Sequence, residues 1–109
     1  MIDLLHARCQ GQGAESMGEA DIRNHLAQVS GWHPADGAIE KTFSFRNYYE
    51  TIAFVNALAW ICHAEDHHPE LRVTYDRCLV RFSTHSVGGL SRNDFICAAK
   101  ADSLVSFLG

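Results

Sequence analysis

Hydrophobic positions along the chain switch between a helical period and a strand period, and the switches divide it into seven segments. Ile22, Leu26 and Val29 recur about one helical turn apart, and Ser16 with Glu19 has the spacing of a capping box ahead of them. Gly31 is a natural stop for that helix. Trp32 to Gly37 predicts a short edge strand running into a turn, with Asp36-Gly37 as the hairpin signal. Ile39, Lys41, Phe43 and Phe45 then alternate with Glu40, Thr42 and Ser44, the period of a half-buried strand. From Asn47 to about His67 the pattern is helical again. Tyr48, Ile52, Val55, Ala59 and Cys62 mark one stripe, and Ala53, Ala57, Leu58 and Ile61 make the helix apolar over much of its girth. Such a helix must be covered on more than one side, by a sheet and by another subunit.

Pro69 ends that segment, since proline lacks the amide a helix needs and pushes its predecessor out of the helical region. Leu71, Val73 and Tyr75 next oppose Arg72 and Thr74, Asp76-Arg77 is the expected turn, and Cys78, Val80, Phe82 and Thr84 form an inward row. By parity His85 belongs with Leu79, Arg81 and Ser83, off that row, unless the strand ends or bulges before it. Gly88-Gly89 loosens the chain, Ser91 with Asp94 has capping spacing, and Phe95, Ala98, Ala99, Leu104, Phe107 and Leu108 supply a last helix. The order helix, two strands, helix, two strands, helix predicts an α+β fold, a four-stranded antiparallel sheet with helices packed on one face. Residues 1–15, with Gly11, Gln12 and Gly13, are expected as a flexible lead-in, and 16–109 as a single domain.

Composition narrows the classes. A length of 109 residues with 47% hydrophobic and 20% charged side chains fits one soluble globular domain. A formal charge of -4 without a basic stripe argues against wrapping nucleic acid. No apolar run approaches the roughly 20 residues of a membrane span. The opening residues Met1 to His6 also lack the features of a secretory signal, so a cytoplasmic protein is expected. Cys9, Cys62, Cys78 and Cys97 are scattered and are expected as reduced, mostly buried thiols.

The chemistry concentrates in Cys62-His63-Ala64-Glu65-Asp66-His67-His68-Pro69, with His85 downstream. Imidazole titrates near neutrality, so clustered histidines point to proton transfer or metal binding. Under the first reading His67, His68 and His85 act as acid and base groups, with Asp66 and Glu65 near enough to tune them. Under the second, His63 and His67, four apart on a helix, suit two zinc ligands with His85 or His68 as the third. The zinc-protease helix, however, needs its glutamate directly after the first histidine, and here it is two positions on. Under the third, the histidines merely cap a helix end, where the dipole favours them.

His63-x-x-x-His67-His68-Pro69, Tyr75, Ser83-Thr84-His85, Gly89-Leu90-Ser91 and Asp94 together resemble the signature of the pterin-4a-carbinolamine dehydratases. The resemblance extends upstream through Gly31-Trp32 and Phe43-Ser44-Phe45 and covers roughly residues 16–108. It implies a lyase that dehydrates 4a-hydroxytetrahydrobiopterin or a related carbinolamine to the quinonoid dihydropterin, recycling tetrahydropterin for an aromatic amino acid hydroxylase. It also implies a four-stranded sheet with three helices on one face, a homodimer or homotetramer, and no metal or organic cofactor. Catalytic roles fall on His67, His68 and His85, and substrate contacts on Asp94, Asp66, Trp32, Ser83 and Thr84. His63 stands where many members carry glutamate. The family also includes noncatalytic dimerisation cofactors that bind a protein partner, which is the alternative reading.

Overall fold

A computed structural model describes residues 3–10 and 15–105. Phe107, Leu108 and the Gly11–Gly13 part of the lead-in lie outside the described residues. The elements are α1 (Glu19–Leu26), β1 (His33–Ala35), β2 (Ala38–Ser44), α2 (Tyr48–Glu65), β3 (Glu70–Val73), β4 (Arg77–Phe82), a short 3₁₀ turn (His85–Val87) and α3 (Arg92–Val105). The strands form one antiparallel four-stranded sheet, as the two alternating pairs predict, in the order β1-β2-β4-β3, so the hairpins join through β2 and β4.

The first hairpin turns on Asp36 and Gly37, both at positive φ (48° and 77°), the two-residue geometry whose twist matches that of the flanking strands. The second turns one residue earlier than expected. Val73 pairs with Cys78 and the Thr74 amide donates to the Arg77 carbonyl at 2.9 Å, which leaves Tyr75-Asp76 at the tip. Ile39, Phe43, Cys78, Val80 and Phe82 make the buried face of the sheet, with Phe54, Leu58, Phe95 and Ile96 from α2 and α3 against it.

Several helix expectations need correction. α1 stops at Leu26, so Val29 and Gly31 lie in the turn after it. The buried line of α2 is Thr51, Phe54, Leu58 and Cys62, whereas Tyr48 and Ala59 of the expected stripe are exposed. Thr51 takes the inward position because its hydroxyl finds carbonyl acceptors on Asn47 (2.9 Å) and Tyr75 (3.0 Å), so burying it leaves no orphan polar group. The turned-out side carries Tyr49 at 83% and Trp60 at 74% exposure. At α1 the Ser16-Glu19 capping box does not form. Gly18 is the N-cap and Glu19 already the first helical residue, too early to reach back. Asn47 does cap α2, accepting from the Glu50 amide at 2.9 Å.

The four cysteines are thiols, with Cys62, Cys78 and Cys97 buried. Burial pushes Cys62 up to about 11 and raises Cys78, and the contact with Cys9 followed by burial raises Cys97. Such thiols are unreactive packing. Among the described residues no helix is long and apolar enough to cross a membrane.

Gly31 sits at φ +86° with the Lys41 side chain over it, and Lys41 donates to the Ser30 carbonyl at 3.0 Å and to Asp102 at 2.8 Å. Gly31→Ala is expected to cost about 1–2 kcal/mol, from the left-handed backbone. In thermal denaturation that corresponds to a fall of roughly 4–8 °C per kcal/mol.

Candidate active site

The site begins where α2 stops. Asp66 adopts the left-handed conformation (φ 53°, ψ 44°), its amide donates to the His63 carbonyl, and the His67 amide donates to the Cys62 carbonyl at 3.1 Å. This paired closure satisfies the last carbonyls of the helix. Aspartate tolerates the conformation better than most residues with a Cβ. The helix therefore ends at Glu65, earlier than the expected His67 and four residues before Pro69. His67 leaves the axis and turns back over the core, where its ring stacks on Phe82 at 5.9 Å and 11°.

His67 Nε2 lies 2.6 Å from Asp94 Oδ1, and Asp94 is fully buried. The other carboxylate oxygen accepts from the Ser91 amide (2.9 Å) and from the Thr84 hydroxyl (2.8 Å). Ser91 Oγ in turn accepts from the Asn93 amide at 3.2 Å, so Ser91 and Asp94 form the expected cap at the start of α3. Asp94 thus both starts a helix and holds a histidine. A carboxylate accepting from Nε2–H fixes the tautomer and leaves Nδ1 without a hydrogen-bond partner among the described residues.

His85 arrives from the strand side. β4 ends at Phe82, and Thr84 then pairs with Gly89, the Thr84 amide donating to the Gly89 carbonyl at 2.7 Å. The bridge closes a tight loop that Gly88 completes at φ 65°, and His85 stands at its start. Arg81, Ser83 and His85 keep the outward parity expected of them, and all three line one cavity of about 580 Å³. Asp66, His67, His68 and Thr84 line the same cavity, so the two histidine groups 18 positions apart in sequence share one hollow. Its volume lies within the range of small-molecule sites.

The remaining expected residues fall elsewhere. Asp94 lies behind His67 and is not on the cavity wall. Trp32 is 4% exposed, with its indole donating to Asp102 at 3.1 Å and its ring 5.8 Å from Phe82, so it touches the site only through the ring on which His67 stacks. His63 stacks on Trp60 at 5.8 Å, on the exposed side of α2. Among the described residues no three histidine, cysteine or acidic side chains gather as a metal would need. Sequence reasoning did not single out Gln10, Glu70, Arg81 or Asn93, which also line the cavity. Arg81 donates to Glu40 at 3.1 Å and to the Asp36 carbonyl at 3.2 Å.

Comparison with known proteins bears on this geometry. The sequence model of the family described as Pterin 4 alpha carbinolamine dehydratase matches residues 15–104. A protein of Stenotrophomonas maltophilia (strain R551-3), named as a provisional pterin-4-alpha-carbinolamine dehydratase, is 57% identical over 112 residues, covering 99% of this chain and 97% of its own. A like-named protein of Nitrosomonas eutropha is 53% identical over 98 residues, covering 89% and 86%. The crystal structure of a transcriptional coactivator/pterin dehydratase from Brucella melitensis superimposes with a TM-score of 0.80 at 28% identity, over 83% of this chain and 98% of that one. A pterin dehydratase-like RuBisCO assembly factor of the alpha-carboxysome shares the fold, with a TM-score of 0.57 at 23% identity over 67% and 84%.

The matched span omits residues 3–10, yet these pack beside the site. Leu4 enters the core, and the Cys9 amide donates to Glu65 Oε1 at 2.8 Å. Arg8 (3.0 Å) and Lys100 (3.2 Å) reach the other Glu65 oxygen. Burial alone would raise the Glu65 carboxyl, but the Cys9 amide, Lys100 and Arg8 outweigh it and hold the group below the usual range. A depressed carboxyl stabilises the fold above its unfolded pKa of about 4.3 and loses that contribution as pH falls through the lower folded value. Glu65→Gln is therefore expected to be less stable than wild type at pH 7. The difference should shrink as urea denaturation is repeated at pH below about 4.

Proposed function

The chain belongs to the pterin 4 alpha carbinolamine dehydratase family, and from that membership we propose that it dehydrates 4a-hydroxytetrahydrobiopterin to the quinonoid dihydropterin and water. The observation that carries the proposal is the single cavity shared by His67, His68 and His85, with His67 held by the buried Asp94. In the reaction the C4a–O bond breaks as a proton reaches the departing oxygen, N5 gives up its proton, and the C4a–N5 double bond forms. The net loss is one water. Two imidazoles in opposite protonation states accomplish this near neutral pH.

His67 and His85, both on the cavity wall, form the proton-transfer pair, and His68 orients the ring system. Asp66 and Ser83, both on the wall, contact the substrate. Asp94, with Thr84 donating to it, acts through His67, and Trp32 supports the same ring from behind Phe82. In the cell this step recycles tetrahydropterin in the cytoplasm for an aromatic amino acid hydroxylase.

The protein works as a homodimer or homotetramer. Tyr49 and Trp60 on α2 are exposed at 83% and 74%, and Leu71 and Val73 on the edge strand β3 at 38% each. That much apolar surface on a small domain calls for a covering partner. The same surface would serve a noncatalytic binding protein, so activity decides between the readings.

Stopped-flow measurement with freshly generated 4a-hydroxytetrahydropterin is expected to show dehydration well above the spontaneous rate. His67→Ala and His85→Ala should each lower it by roughly 10²–10⁴-fold while circular dichroism stays unchanged. Near-normal turnover by both variants would remove them from the mechanism, and a wild-type chain without activity would leave the binding reading in its place. Sedimentation velocity is expected to give a dimer or tetramer that Trp60→Glu weakens. A strict wild-type monomer contradicts the assembly.

A further inference from the structure

We propose that Gln10, carried on the N-terminal segment outside the family's matched span, is a substrate-binding residue of the dehydratase cavity, hydrogen-bonding the polar edge of the bound ring system through its side-chain amide. The inference rests on the dehydratase reading. Gln10 lines the same cavity as His67, His68 and His85. Its place there is fixed by its backbone alone: its amide donates to Asn93 Oδ1 at 2.9 Å, and its carbonyl accepts from Asn93 Nδ2 at 2.5 Å. Asn93 is 5% exposed and directly precedes Asp94, so this clamp joins the element that holds His67. One residue earlier, the Cys9 amide is bound by Glu65 at the end of α2. The segment is thereby pinned to both elements that position His67.

With the backbone committed, the Gln10 carboxamide is left exposed and makes no hydrogen bond among the described residues. A carboxamide offers a donor and an acceptor side by side. A pterin presents the matching arrangement on its pyrimidine edge, where a ring N–H adjoins a carbonyl. The wall also carries neutral hydroxyls at Ser83, Thr84 and Ser86, each a single group, while Arg81 is already engaged by Glu40 and Asp36 and the Asn93 carboxamide by the Gln10 backbone. Gln10 is a neutral group there, free to make both hydrogen bonds at once.

Because the clamp uses only main-chain atoms of residue 10, Gln10→Ala removes the carboxamide and keeps the segment in place. Wild-type and Gln10→Ala proteins are compared in the stopped-flow dehydration assay, and by calorimetric titration with 7,8-dihydrobiopterin. The expected result is a KM about 3- to 10-fold higher with kcat within about 2-fold, the loss of one or two ordinary hydrogen bonds made equally in ground and transition states. The dihydrobiopterin Kd should weaken by a similar factor. Gln10→Glu, which keeps the length and an acceptor but loses the donor, should also raise KM. Unchanged KM and Kd in both variants overturn the inference and leave the dehydratase reading intact. A wild-type chain that binds dihydrobiopterin without turnover sinks the dehydratase reading, while a Kd weakened by Gln10→Ala would still support the binding role. No binding and no turnover by the wild type sinks both.

Discussion

The contact between His67 Nε2 and the Asp94 carboxylate is the constraint on which the rest of the site depends. A carboxylate taken fully out of water is costly unless each oxygen is met by donors. Here the imidazole, an amide at the start of α3 and the Thr84 hydroxyl meet them. These donors come from three different parts of the chain. The helix start, the end of the β4 strand and the exit from α2 are therefore held in one arrangement by a single buried charge. Removing any donor would leave part of that charge uncompensated, so the polar network selects the geometry as well as stabilising it.

Around that contact the chain uses abrupt endings in place of continuous elements. α2 is closed by a left-handed Asp66, and the strand region beyond Phe82 by the Thr84–Gly89 bridge. Each ending sets where a histidine stands. His67 is turned onto the sheet, and His85 stands at the start of the loop that follows β4. Phe82 serves as the common floor, with Trp32 and His67 both packed against it. Core packing and site geometry thus share one aromatic ring.

Much of this was legible in the sequence because it is encoded locally. The alternations of β2 and β4, the Asp36-Gly37 turn and the Ser91-Asp94 cap each depend on residues within a few positions and appear in the structure, whereas β3 is exposed on both faces and shows no buried row. The outward parity of Arg81, Ser83 and His85 also holds, and it brings all three to the cavity. The misreadings have identifiable physical sources. Thr51 lies outside the expected apolar stripe, yet two carbonyls satisfy its hydroxyl inside, and that rotates the buried line of α2. Tyr75, a good strand former, occupies the tip of a turn, which shifts the second hairpin by one position. The placement of Gln10 rests on contacts with a residue 83 positions away and leaves no periodic mark. Trp32 is near the site only through another ring, a distinction that spacing does not encode.

Arg81 carries a consequence of its own. Arg81 belongs to the wall around the histidines, and its guanidinium is anchored on the Asp36 carbonyl at the tip of the first hairpin. Surface loops ordinarily absorb insertions and deletions with little effect. The tip at Asp36-Gly37 is mechanically tied to the wall, so lengthening it by even one residue would withdraw an anchor from the hollow. An apparently peripheral loop is in this molecule a dimension of the binding space.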